Sequence, residues 1–105
     1  MRLTRRLVLE RSVSAPDGAG GVRRDWSSLG VLWADVRPGS PREVSGVEAV
    51  TPVISLKVTV RAAAPGAPSR PVAGQRFRDG DRILRIIAVV DAGERYLTCH
   101  CQEDI

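Results

Sequence analysis

The sequence predicts an all-β protein: a small antiparallel β-barrel with a long loop, or a short helix, between two core strands. Three observations carry this. Apolar and polar residues alternate with period two, most regularly over Ile54–Arg61, where Ile54, Leu56, Val58 and Val60 face a core and Ser55, Lys57, Thr59 and Arg61 face water. Gly- and Pro-rich connections separate these runs, with little helical periodicity between them. And 105 residues, 43% of them hydrophobic, are enough for one core and leave no room for a second.

In chain order, Leu7 and Leu9 point one way while Arg6, Val8 and Glu10 point the other, which predicts a first strand. Pro16-Asp17-Gly18-Ala19-Gly20-Gly21 is a turn, because proline presets the bend and glycine supplies positive φ. A second strand over Val31–Arg37 sets Leu32, Ala34 and Val36 against Val31, Trp33 and Asp35, and Pro38-Gly39 ends it. Within 39–53, Ser40-Pro41-Arg42-Glu43 has the form of a capping box with proline at the first helical position. Val44, Val47 and Val50 follow at intervals of three, while Gly46 and the β-branched valines oppose a helix. A short helix over 41–50 and a long loop both stand. Pro65, Pro68 and Pro71 make 62–74 irregular. Arg82–Val90 is apolar on both sides, Ile83, Ile87 and Val89 against Leu84, Ile86 and Val90, as in a strand covered on both faces. Asp91-Ala92-Gly93 then turns the chain into a last strand, Glu94–Gln102, with Leu97, Cys99 and Cys101 on one side. Five or six such strands with little helix make a barrel or sandwich.

Several functions are excluded at this level. The net charge is +4, with fifteen arginines and one lysine. These are scattered, and no basic run exceeds two residues, so no nucleic-acid-binding arm is present, although the surface would tolerate a polyanion. The apolar run Leu7-Val8-Leu9 is too short for a secretory signal or a membrane span, so composition predicts a soluble intracellular protein with no membrane partner. Cys99-His100-Cys101 has the look of a metal site, but zinc needs four ligands and the sequence holds no other Cys or His. On a strand the two thiols also face away from His100, and a disulfide between them has poor geometry. They are expected to be reduced and buried, with no metal bound. Asp79-Gly80-Asp81 is a tight turn, and no helix follows Gly18, Gly20 and Gly21 as a dinucleotide site requires. With no nucleophile elbow or phosphate loop, no catalytic residue, enzyme activity or cofactor is expected. Trp26 and Trp33 either pack against the core edge or anchor a protein interface.

Taken in order, these parts resemble a known family. The Leu7-Val8-Leu9 strand, the Gly-rich turn, Trp26, and the run Val31-Leu32-Trp33-Ala34-Asp35-Val36-Arg37-Pro38 come first. A long excursion follows, then Leu56-Lys57-Val58-Thr59-Val60-Arg61, Asp79-Gly80-Asp81-Arg82-Ile83 and finally Tyr96-Leu97-Thr98-Cys99. Over nearly its whole length the chain is similar to the phage head–tail joining proteins, also called head-closure or stopper proteins, of long-tailed phages and gene transfer agents.

The resemblance implies a β-barrel that forms a ring with copies of itself, six or twelve, below the portal and its adaptor protein. It implies a neck component, assembled in the bacterial cytoplasm, that closes the DNA channel after packaging and meets the tail terminator protein. Carried over, the channel loop is 39–53, with Arg42, Glu43 and Glu48 as its charged members and Val44 and Val47 among its apolar ones. Packaged double-stranded DNA would be met there through its phosphates, independently of sequence. The alternatives are a small nucleic-acid-binding barrel and another neck protein such as the tail terminator.

Overall fold

The computed structural model describes residues 2–39 and 53–104. Its six strands are β1 (Arg5–Pro16), β2 (Val22–Pro38), β3 (Val53–Arg61), β4 (Arg76–Asp79), β5 (Arg82–Asp91) and β6 (Tyr96–Asp104). They close into one antiparallel barrel in the order β1-β2-β3-β6-β5-β4. Closure gives every strand of the wall two neighbours and removes the open edges that a flat sheet would present.

The barrel interior follows from the alternation. Leu7, Leu9, Leu56, Val58, Val60, Phe77, Leu84, Leu97 and the two cysteines are buried. In register, Leu9 faces Phe77, Phe77 faces Leu84, Val58 faces Cys99 and Val60 faces Leu97, so the core consists of cross-strand pairs. Pairing also fixes which connections share an end. Gly39, Val53, the β4–β5 turn and the end of β6 lie at one end. The β1–β2 turn, residues 62–75 and the β5–β6 turn lie at the other.

Four expectations need correction. Ile54 is exposed, although it shares its side of β3 with buried Leu56 and Val58, because it pairs with Glu103 beyond the last interior layer. The outer face of β5 is not covered, since Ile87 and Val90 are both exposed. A bulge there pairs Ile86 with Cys101 and Ala88 with His100, leaving Ile87 as the extra residue. The bulge reverses the alternation, so Val89 faces the core while Ile87 faces out. Next, β2 begins at Val22 rather than Val31. Finally, β4 carries one buried apolar residue, Phe77, in four, too little pattern to reveal a strand. The predicted channel-loop residues Arg42, Glu43, Val44, Val47 and Glu48, and the choice between helix and loop there, lie outside the described residues.

Candidate functional site

The early start of β2 creates the most distinctive feature of the molecule. β1 pairs with β4 only from Val8 to Glu10, whereas its pairing with β2 continues out to Pro16 opposite Val22. The outer parts of these strands therefore form a two-stranded arm beyond the barrel wall. Asp17 shapes its tip: the Ala19 and Gly21 amides donate to Asp17 Oδ1 at 2.8 and 3.0 Å, which holds that carboxyl below its ordinary range. Gly18 and Gly20, at φ near +81° and +84°, make the turn that residues with a Cβ would resist.

The base of the arm is fixed by packing and charge. A register shift places Leu9 opposite Gly30 and Glu10 opposite Ser28, so Leu29 is the extra residue of a second bulge and packs on the core. Glu10 is 4% exposed, the one charged residue buried among those described. Arg76 Nε donates to Glu10 Oε1 at 2.8 Å, and Arg78 lies 3.3 Å from Oε2. Trp26 comes from β2 of the arm and lies over the Arg76 guanidinium, 4.1 Å from ring centroid to Cζ. A three-part stack of carboxylate, guanidinium and indole thus ties the arm to β4. Between arm and barrel lies an open groove of about 500 Å³, bordered by Arg24, Trp26, Arg76, Ile83, Arg85 and Ile87.

The opposite end has another character. Arg5 pairs with Asp79, and Arg82 makes a bidentate contact to Glu103 at 2.7 and 2.9 Å, while the Arg85–Asp104 pair reaches the border of the groove beside the arm. The Arg82 contact lowers the Glu103 pKa and raises that of Arg82. At the feet of the 40–52 segment, the Gly39 amide donates to the Ser55 carbonyl at 2.8 Å. A Cβ on Gly39 would approach the Ser55 backbone to 3.1 Å, so the absent side chain is what allows the feet to come this close.

The predicted metal and interface residues are placed as follows. Cys99 and Cys101 are free, buried thiols inside the barrel, while His100 lies opposite Lys57 and Ala88 on the outer side. No metal-holding cluster occurs among the described residues. Burial pushes the Cys99 thiol up to about 12, and that of Cys101 also upward. Because the unfolded chain loses these protons first, the fold keeps its full thiol contribution below pH 9 and loses it above. Unfolding free energy is expected to fall by roughly 2–3 kcal/mol between pH 8 and 10, and a Cys99→Ala/Cys101→Ala variant to lose most of that slope. Urea titrations at both pH values check this; equal slopes in both proteins would refute it. Trp26 and Trp33 are not brought together. Trp26 is half-buried in the arm, whereas Trp33 projects from the barrel wall, 54% exposed. The Glu10–Arg76 anchor was not anticipated, because a glutamate in an alternating strand carries no sign of burial by a distant arm.

No helix among the described residues is long and apolar enough to cross a membrane. The chain matches the family model described as phage head completion protein over residues 1–104. It is also similar to a chain in the virion of a native gene transfer agent particle, at 45% identity and a TM-score of 0.80, with 100% of this chain and 97% of that one covered. A second similar structure is protein SF1141 from Shigella flexneri 2a in solution, at 25% identity and a TM-score of 0.68, covering 97% and 93% of the two chains. No curated protein matches the chain.

Proposed function

Because the chain belongs to the phage head completion protein family, we propose that this structural, non-enzymatic virion component completes the head at its neck. In this role it forms a ring beneath the portal and its adaptor, closes the DNA channel after packaging, and receives the tail through its terminator protein. The observation that carries the reading is the division of labour between the barrel ends. A closed, ion-paired wall holds Gly39 and Val53 at one end, so the intervening residues can reach inward without disturbing the core. The arm stands at the other end, anchored through Glu10 and with both outer edges unpaired among the described residues, where another protein can be met. Within 40–52, Arg42 offers a phosphate contact of the sequence-independent kind, Glu43 and Glu48 balance it, and Val44 and Val47 supply apolar contacts between copies.

Electron microscopy of particles made without this gene tests the reading. Tailless heads that have lost their DNA, with free tails beside them, are expected. Normal filled and tailed particles would overturn it. A more local test replaces residues 41–51 with a short Gly-Ser linker. The feet are held by Gly39 and Ser55, so the barrel is expected to melt as before and to enter the particle, while the heads leak DNA. Full DNA retention by such particles would remove the channel role from this segment.

A further inference from the structure

A ring built from one kind of chain needs two different, complementary faces on each copy. The barrel wall carries two unpartnered apolar patches. On β2, Val31 and Trp33 project outward at 42% and 54% exposure; on β5, Ile87 and Val90 do so at 49% and 47%. In the closed order β1-β2-β3-β6-β5-β4, two strands separate β2 from β5 whichever way the barrel is followed, so the patches lie on opposite sides. The bulge at Ile87 is what turns that side chain out of the core face.

Charge distinguishes the two patches. Arg6 lies opposite Trp33 on β1, and the register of Ala34 with Val60 sets Arg61 on its other flank. Both arginines are exposed, and neither has an ion pair among the described residues. Beside Val90 two carboxylates are exposed, with Arg95 also exposed next to the second. Asp91 is 80% exposed and reaches Arg70 only at 3.8 Å, and Glu94 is exposed in the adjoining turn. Of the arginines near Ile87, Arg76 and Arg85 are engaged by Glu10 and Asp104, while Arg24 stands across the groove.

Resting on the ring reading above, we propose that the Val31–Trp33 face of one copy packs against the Ile87–Val90 face of the next, with Arg6 and Arg61 meeting Asp91 and Glu94. The contact is heterologous and repeats around the ring. Two half-exposed apolar side chains on each side fall short of the roughly 800 Å² per partner of a stable pair. The isolated chain is therefore monomeric, and the contact persists only where ring closure and the neighbouring rings hold copies together.

Cysteine cross-linking in purified particles tests this, because the native thiols are buried and unreactive. Particles carrying Trp33→Cys/Ile87→Cys are treated with a short bismaleimide, with Val31→Cys/Val90→Cys as a second pair. A ladder of dimers, trimers and larger products is expected from the double variants, and none from single variants. Dimers from Trp33→Cys alone would mean a face that pairs with itself. Products containing a different protein would give the patches another occupant. Failure of both pairs to cross-link, in particles that contain the protein, would likewise overturn the pairing while leaving its neck position intact. Absence of the unsubstituted protein from wild-type particles would instead overturn the neck reading.

Discussion

Phe77→Ala is expected to lower the unfolding free energy by about 3–5 kcal/mol, a large part of what a domain of this size possesses. Phe77 is fully buried, and its neighbours in register are Leu9 on β1 and Leu84 on β5. It belongs to a four-residue strand that joins β1 to β5 and so completes the barrel. Its removal leaves a void where closure depends on the fewest backbone pairs, since β4 meets β1 at only three positions. Thermal unfolding should show a midpoint lower by roughly 15–25 °C. Val22→Ala, at the exposed tip of the arm, serves as the control and should leave the midpoint nearly unchanged. A loss below about 1 kcal/mol for Phe77→Ala would mean that the aromatic ring is not part of the packed interior.

Glu10→Ala is expected to cost about 2–4 kcal/mol, because it leaves Arg76 and Arg78 side by side without their shared carboxylate. Arg76 has little solvent to compensate it, being held under Trp26 with its side chain 20% exposed. Glu10→Gln should cost less, since the amide oxygen can still accept from Arg76 Nε. A double-mutant cycle separates the pair from its surroundings: Glu10 and Arg76 should couple by more than 1 kcal/mol, and the exposed Arg37–Asp35 pair by less. Equal coupling in the two cycles would mean that Glu10 is no better shielded than a surface carboxylate. Loosening this anchor should also release the arm, so variants at Glu10 are expected to be recruited poorly into particles even at temperatures where the barrel remains folded.

The alternation over Leu56–Arg61, the Pro-Asp-Gly turn and the buried side of Leu97, Cys99 and Cys101 could be read from the chain because each reflects local geometry. A strand with one face in a core must alternate, and a turn with positive φ favours glycine. The same logic told against metal chemistry at Cys99-His100-Cys101, since adjacent strand residues cannot converge. The arm was harder to see. Arg11–Pro16 and Val22–Ser27 pair their backbones only with each other among the described strands, so neither stretch needs a hydrophobic face, and without one the periodic signal disappears. Trp26 stood out as an aromatic residue, but its contact with Arg76 joins residues fifty positions apart in the chain.

The sequence by itself determined an all-β barrel, the side of each regular strand that enters the core, and the ordered set of parts that marks the family. These are properties of spacing and residue type, and spacing survives without knowledge of neighbours. Only the tertiary structure decided that Glu10 is buried, that Ile87 turns outward at a bulge, and that apolar faces on β2 and β5 stand on opposite sides of the wall. Burial and exposure depend on which distant strand lies alongside, and one extra residue in a strand reverses every side chain that follows it.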